Sequence, residues 1–189
     1  MNKSIENTAD LLEIMAQGCS PECLYFWGHT AAGKVVGKSC LSQWYPTRFT
    51  LDGVAYPSAE HYMMVQKAIL FGDLAMAELM LATADTKEVK QLGRQVKNFD
   101  PAAWAAQCEQ IVFDANLGKF SQNEKLREFL CSTGNLVLVE ASPVDNVWGI
   151  GLTESAAKKS SPLAWKGKNL LGYALMKVRS AILDTIAAC

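Results

Sequence analysis

Residues 49–72 have the sequence FTLDGVAYPSAEHYMMVQKAILFG, and this stretch decides the fold. Asp52-Gly53 stands between two runs that favour β-strands, which is the strongest short-range signal for a hairpin. Pro57 ends the second run, and Ser58 can cap a helix from Ala59 to Phe71. Because this helix is apolar on nearly every side, we expect it to be buried. The stretch therefore predicts a hairpin that leads directly into a core helix.

Capping residues and apolar periodicity predict helices over most of the remaining chain. Leu136–Val139 is predicted to be a buried strand. Aromatic residues are dense at Leu24–Trp27 and at Gln43–Tyr45, which indicates either core packing or a stacking surface. The predicted fold class is α+β and predominantly helical, a single compact domain with a short β-hairpin and a few further strands. The further helices are expected to begin near Asn7, Asp73, Asp85, Asp100, Ser121 and Asn169.

The composition excludes several classes of protein. The 189 residues carry 18 Lys and Arg against 19 Asp and Glu, so a basic nucleic-acid module is disfavoured, although a local phosphate pocket is not. The six cysteines lack paired CxxC spacing and only two histidines are present, so we expect neither a structural metal nor a cofactor. Residues 2–10 are polar and no apolar run reaches membrane length, which predicts a reduced, cytoplasmic protein.

Glu60 is the first candidate for chemistry, because it is a carboxylate in the first turn of an apolar helix. Burying a carboxylate without partners costs several kcal/mol, so a ligand, an ion partner or solvent access is expected. The alternative is that Glu60 only complements the helix dipole, which contributes about 0.3–1 kcal/mol. Lys67, roughly 10 Å along the same stripe, can bracket a ribose phosphate or simply extend to the surface. His61 points away from Glu60 and is expected to be a packed or capping residue.

The segment DNVWGIG at residues 145–151 follows the predicted strand and combines a carboxylate, an indole and two glycines. Such a loop suits ring stacking at a strand end, because glycines permit close backbone approach. Alternatively, Asp145 and Asn146 form an ordinary Asx turn and Trp148 fills the core. Lys166-Gly167-Lys168 precedes the last predicted helix, whose N-terminal N–H groups attract phosphate. Taken alone this is a weak signal, because lysine-glycine turns before helices are common.

Eight short blocks resemble the NADAR (YbiA-like) family in their order and spacing. They extend roughly from Leu24 to Ile182, and their joint register carries the resemblance. Three features depart from the family pattern: Gln43-Trp44 stands where relatives often have Asn-Phe, the first residues of the chain have no counterpart, and Lys158–Pro162 lengthens a loop. The blocks are LSQWYP (41–46), PSAEHY (57–62), QK (66–67), GR (93–94), KF (119–120), TG (133–134), Asp145 with WG (148–149), and GKNLLGY (167–173).

The resemblance implies a helix-rich YbiA-like domain over residues 24–189, with residues 1–23 as an N-terminal helical extension. It also implies hydrolysis of N-glycosidic bonds without a cofactor. One branch of the family acts on phosphorylated ribosylamino intermediates of riboflavin biosynthesis, and this is the predicted function here. Other members remove ADP-ribose from guanine bases, which makes an ADP-ribosyl substrate or a modified nucleic acid the alternative partner. A third possibility is a module that binds ADP-ribose or a nucleotide without turnover. No membrane partner is expected.

Carried onto this chain, the family's functional carboxylate falls on Glu60, and its acidic and tryptophan positions fall on Asp145 and Trp148. Breaking a ribosyl C–N bond builds positive charge on the sugar, so Glu60 is predicted to stabilise that charge and to activate water. Asp145 would hold ribose hydroxyls or the water, and Trp148 would stack on the base or sugar. Attack by Lys67 on a ring-opened sugar is a less favoured variant. The predicted substrate-binding residues are Trp27, Tyr45, Lys67, Arg94, Gly149, Lys168 and Asn169.

Overall fold

The computed structural model describes residues 4–30 and 35–188 of the chain. These residues contain eight α-helices and four β-strands. The predicted class, α+β and predominantly helical, is confirmed. None of these helices is long and apolar enough to cross a lipid bilayer. The helices are α1 (Thr8–Ala16), α2 (Ala59–Leu70), α3 (Leu74–Ala82), α4 (Thr86–Gly93), α5 (Pro101–Ser121), α6 (Glu124–Ser132), α7 (Glu154–Ala157) and α8 (Leu170–Ala187). The strands are β1 (Cys23–Phe26), β2 (Phe49–Leu51), β3 (Val54–Tyr56) and β4 (Val137–Glu140).

The predicted hairpin and its cap are confirmed. Strands β2 and β3 pair antiparallel, with Phe49 opposite Tyr56. Asp52 and Gly53 lie at the turn with φ of 51° and 77°, the pair of positive values that a two-residue hairpin with the twist of its strands requires. Ser58 then caps α2 by accepting the N–H of His61, whose buried Nδ1 also lies 2.7 Å from the serine Oγ.

Helix α2 forms the centre of the main core. It packs against α3, α4 and α5, and its residues from Ala59 to Val65 are all buried, as predicted from a sequence that is apolar on nearly every side. Such burial removes a large apolar area from water, at roughly 25 cal/mol per Å². Any charged group on α2 must therefore find its partner inside the protein.

A short parallel sheet separates the main core from a second, smaller one. The predicted buried strand is present as β4, but its partner β1 was predicted only as an aromatic cluster. On β4, Leu138 faces the main core, whereas Val137 and Val139 pack with Leu11 of α1 in the second cluster. A four-residue strand with apolar residues on both faces has no alternation to reveal it, which explains why β1 was missed.

One predicted helix start is wrong. Ser121 was expected to cap the helix that follows, but it is the last residue of α5, and Asn123 stands at the start of α6. The amide of Asn123 donates to the carbonyl of Lys119 and so closes the end of α5 instead. By contrast, the three aspartate caps were predicted correctly, because Asp73, Asp85 and Asp100 each accept backbone N–H groups of their helices.

Asn169 joins β4 to the start of α8. It is fully buried in the left-handed conformation, with φ of 54°. Its Oδ1 accepts the N–H of Glu140 at 2.9 Å, and its Nδ2 donates to the carbonyl of Leu138 at 2.9 Å. One turn later, a Cβ at Gly172 would collide with that same carbonyl. The carboxyl end of β4 is therefore held firmly against α8.

The division into residues 1–23 and 24–189 stays a prediction. Within the described part of the extension, Leu11 of α1 is buried in the second cluster, and the hydroxyl of Thr8 lies 3.0 Å from that of Tyr173. Helix α1 thus packs directly on the domain.

We expect Gly172→Ala to destabilise the protein by about 1–3 kcal/mol, because the added methyl group must displace either the backbone of β4 or that of α8. Gly37→Ala is the matched control, since a Cβ at Gly37 meets no atom within 4 Å. Thermal or urea unfolding of both variants measures the difference. Equal stability of the two variants would show that β4 and α8 can move apart without cost.

Candidate active site

Glu60 lies in the first turn of α2 with only 2% of its side chain exposed. Its backbone N–H donates to the carbonyl of Gln43 at 3.0 Å. The ammonium of Lys90 lies 3.1 Å from Oε1, an ion pair that is not aligned as a good hydrogen bond. Burial raises the pKa of Glu60, whereas Lys90 and a hydrogen bond from Trp44 lower this pKa and the charge of Asp145 raises it further.

Lys90 is a residue of the site that the sequence did not reveal. It lies on α4, about one third exposed, and its Nζ is 5.7 Å from the centroid of the Trp44 ring. Helix α4 itself was predicted, but the packing of α4 on α2 brings Lys90 to Glu60, and nothing local to either helix indicates that packing.

Two more carboxyl groups complete what we call the carboxyl cluster, formed by Glu60, Glu140 and Asp145. Glu140 is the last residue of β4 and was not predicted as a site residue. Burial raises its pKa to about 8, the negative charges of Asp145 and Glu60 raise it as well, and Lys90 opposes them. Three carboxyl groups thus lie within electrostatic range of one another, and the ammonium group of Lys90 acts on two of them, Glu60 and Glu140.

Asp145 and Trp148 show features of both interpretations considered for their loop. Oδ1 of Asp145 accepts the N–H groups of Val147 and Trp148 at 2.9 and 2.8 Å, which is an Asx turn. Trp148 is half-buried and packs against the main core. The charge of Asp145 nevertheless raises the pKa values of Glu60 and Glu140, so the turn also places this carboxylate beside the cluster. The catalytic roles of both residues stay predictions.

Trp44, an aromatic residue that was not predicted as part of the site, has a side-chain hydrogen bond to Glu60 that lowers the pKa of this carboxyl group. It is half-buried, and its ring lies 5.6 Å from that of His29 at a tilt of 41°. Tyr45, which follows Trp44 and was predicted to bind substrate, lies beside the fully buried Lys119. Nζ of Lys119 donates to the carbonyl of Ser42 at 2.8 Å and so holds residues 42–45 in place. The indole ring of a tryptophan carries an N–H that can donate to a carboxylate, whereas a phenyl ring has none.

Trp27 is 57% exposed where β1 ends, and no contact joins it to the carboxyl cluster among the described residues. The strand places Trp27 one residue beyond Phe26, whose carbonyl accepts the N–H of Ala141, the residue after Glu140. Its predicted role in substrate binding therefore rests on this position alone.

The predicted phosphate-binding residues are not assembled at one point. Nζ of Lys67 donates to the carbonyl of Gly93 at 2.7 Å, where α4 ends, and lies 4.2 Å from the centroid of the Phe99 ring. Burial lowers the pKa of Lys67, and the charge of Lys90 lowers it further. Arg94 follows Gly93 and is exposed. Lys67 thus holds the end of α4 next to an exposed guanidinium group.

Lys168, Asn169 and Gly149 lie where the loop of residues 145–151 meets the start of α8. Lys168 is exposed, whereas both polar atoms of the Asn169 side chain are bonded to the backbone of β4. A Cβ at Gly149 would lie 2.9 Å from the carbonyl oxygen of Glu140, so the close approach expected of this glycine is made to β4. Binding of substrate by these three residues stays a prediction.

Two further features bear on where the site lies. In residues 4–30 and 35–188, no group of three or more His, Cys, Asp or Glu side chains is arranged to hold a metal ion. A groove of about 480 Å³ between the N-terminal segment and α8 contains none of the predicted site residues. We take the carboxyl cluster as the candidate site, because ionisable groups with perturbed pKa values cluster at functional positions.

These features define a helix-rich α+β domain whose candidate site combines buried carboxyl groups, one lysine and tryptophan rings. The NADAR domain model matches residues 25–183, and the chain belongs to the NADAR family. The resemblance found in the eight sequence blocks is thereby confirmed.

Proteins of known name and structure support this membership. An N-glycosidase of Acanthamoeba polyphaga mimivirus is 44% identical over 160 residues, which cover 82% of this chain and 94% of the relative. A riboflavin biosynthesis protein of Vibrio vulnificus is 30% identical over 144 residues, 76% of this chain and 35% of the relative. The solved structure of the E. coli protein YbiA matches with a TM-score of 0.72 and 25% identity, covering 89% of each chain.

Lys90→Met is expected to move the titration midpoint of Glu60 to higher pH. The substitution removes the nearby cation that favours the ionised carboxylate and leaves burial to favour the protonated form. Carbon-13 NMR of the glutamate carboxyl carbons, assigned with Glu60→Gln, measures this midpoint. Lys87→Met, an exposed position on the same helix, is the control. An unchanged midpoint in Lys90→Met would mean that the ion pair does not persist in solution.

Proposed function

We propose that this chain hydrolyses the C–N glycosidic bond of a phosphorylated ribosylamino compound, of the type formed in riboflavin biosynthesis. The chain is a NADAR protein, and its relatives include named N-glycosidases, which are hydrolases of N-glycosyl bonds. The substrate class is suggested by the relative named for riboflavin biosynthesis. The single observation that carries the proposal is the buried Glu60 with Lys90 beside it.

The chemistry of the C–N bond explains why a buried carboxylate is useful. As the bond lengthens, positive charge develops on the ribose ring, and a carboxylate in a low-dielectric site stabilises that charge more strongly than water does. Glu60 must be ionised to act in this way, and Lys90 favours the ionised form against the effect of burial. A positioned general base typically contributes about 10² to 10⁴ in rate when it activates a water molecule.

The surroundings of the carboxyl cluster supply plausible groups for the rest of the substrate. In the proposal, Trp44 and Trp148 provide the aromatic faces for the base or sugar, with Tyr45 and Trp27 further out. Arg94 and Lys168 are exposed cations suited to the phosphate. In the proposal, Lys67 positions Arg94, and Gly149 and Asn169 position Lys168. The cytoplasmic location and the absence of a cofactor remain predictions.

The carboxyl cluster favours catalysis over simple binding. A pocket that only holds ADP-ribose or a nucleotide has to attract phosphates, and the negative charges of Glu60 and Asp145 act against that attraction. Removal of ADP-ribose from guanine also breaks a C–N glycosidic bond. The two enzymatic alternatives therefore share a mechanism, and only a comparison of substrates distinguishes them.

We expect Glu60→Gln to lower turnover by at least about 10²-fold with the fold intact, because the amide keeps the size of the side chain but not its charge. Wild type and variant are incubated with a panel containing a ribosylamino pyrimidine 5′-phosphate, its dephosphorylated form and an ADP-ribosylated guanine oligonucleotide. Chromatography follows release of base and sugar.

Glu78→Gln, an exposed substitution on α3, is the matched control for this experiment. Activity of Glu60→Gln within threefold of wild type would remove Glu60 from the mechanism. Release of ADP-ribose alone would replace the proposed substrate class by the alternative.

Phosphate recognition makes a separate prediction. Lys168→Met is expected to raise KM for the phosphorylated substrate much more than for the dephosphorylated one, since only the former loses an ionic contact. Lys67→Met is expected to do the same and also to lower stability, because its bond to Gly93 is lost. Lys125→Met on α6 is the control, and steady-state kinetics with both substrates provides the measurement. Equal changes in KM would place Lys168 outside the phosphate site.

A further inference from the structure

The backbone fixes the position of Glu140 at the end of β4. Its N–H donates to Oδ1 of Asn169 at 2.9 Å, and its carbonyl accepts the N–H of Ile150 at 2.9 Å. Residues two apart on a strand share a face, so Glu140 lies on the same side as Leu138, which packs into the main core that contains α2. The side chain therefore starts from a rigid point and faces the elements that carry Glu60 and Lys90.

The side chain of Glu140 has an unusual surrounding for a carboxyl group. Its Oε2 is buried and, among the described residues, has no hydrogen-bond partner. The charged groups that act on it are Asp145 from the loop after β4, Glu60 from α2 and Lys90 from α4. Burial and the two negative groups raise its pKa to about 8, so the neutral acid predominates near neutral pH.

The other two members of the cluster each have a direct contact with a hydrogen-bond donor or a cation. Asp145 accepts two backbone N–H groups on one oxygen, Oδ1. Glu60 has the ion pair with Lys90. Pairs of carboxyl groups whose surroundings separate their protonation states mark the acid and the base of a site.

We propose that Glu140 is the catalytic acid of this site and protonates the leaving nitrogen of the substrate. The inference rests on the function proposed above. The C1′–N bond breaks with its electron pair going to nitrogen, and the carboxyl proton of Glu140 is transferred to that nitrogen, which leaves as a neutral amine. The oxygen of a water molecule bonds to C1′ while Glu60 takes one proton of that water. Before the next turnover, the proton on Glu60 is lost to solvent and Glu140 regains one, so the sum is hydrolysis.

A comparison of leaving groups tests this assignment. The two substrates are a ribosylamino pyrimidine 5′-phosphate, whose amine must be protonated to depart, and 4-nitrophenyl riboside 5-phosphate, whose phenolate departs without a proton. Glu140→Gln is expected to lower kcat/KM for the amine substrate by about 10² to 10⁴ and to change that for the nitrophenyl substrate by less than about tenfold. Glu60→Gln, the comparison variant, is expected to lower both.

The pH profile of the wild-type enzyme gives a second readout that does not depend on any variant folding. Because the acid must carry its proton, kcat/KM for the amine substrate is expected to fall as pH rises through the pKa of Glu140, about 8. The nitrophenyl substrate is expected to lack this decline.

Different outcomes overturn different statements. Equal losses for both substrates in Glu140→Gln, or basic limbs that coincide for both substrates in the wild type, would reject Glu140 as the acid while the N-glycosidase proposal stands. Wild-type enzyme that cleaves neither substrate, nor any other N-glycoside of the panel, would reject the proposed function and this inference together.

Discussion

The ion pair between Glu60 and Lys90 is the interaction on which the rest of the site depends. Glu60 lies at the start of a helix that is buried on nearly every side, where an isolated carboxylate would be strongly destabilised. The helix N-terminus offers some compensation, of about 0.3–1 kcal/mol, which is too little to offset burial. Lys90 therefore has to approach, and α4 has to pack on α2 for it to do so.

That requirement also explains the arrangement around Lys67. The side chain of Lys67 bonds to the carbonyl of Gly93 and secures the end of the same helix that carries Lys90. A Cβ at Gly93 would collide with the sulfur of Met64, so a larger residue at this position would require the Met64 side chain to move. These two contacts lie outside the carboxyl cluster, and they help to fix the position of Lys90 relative to Glu60.

Much of the fold could be predicted from the sequence, because its signals are local. Asp52-Gly53, Ser58, Asp85 and Asp100 each specify a turn or a cap within a few residues. The site was less predictable, because Lys90, Glu140 and Trp44 meet Glu60 only through packing between distant elements. Glu140 looks like the polar end of a buried strand, and Lys90 looks like one of several polar residues on an amphipathic helix.

Local signals also fail to show the distant partner of a residue. The Lys-Gly-Lys-Asn sequence before α8 indicated a phosphate-binding turn. In the structure, the oxygen and the nitrogen of the Asn169 side-chain amide are both hydrogen-bonded to the backbone of β4. No property of residues 166–169 alone reveals that partner, since β4 lies about thirty positions earlier in the chain. Asn169 acts on the site through β4, because it fixes the backbone from which Glu140 extends.

The charges of the candidate site impose a final constraint on any substrate. Lys90 acts on Glu60 and Glu140, and Asp145 adds a third carboxyl group beside them, so this end of the site repels phosphate once two or more of the carboxyl groups are ionised. A phosphorylated ribose can bind only if its phosphate lies away from the cluster, toward cations such as Arg94 or Lys168. At physiological ionic strength charges are screened over about 8 Å, which is of the same order as the distance across a ribose phosphate. With the phosphate and the carboxyl cluster separated in this way, positively charged side chains would hold the phosphate, and the negative charge of the cluster would act on the cationic sugar.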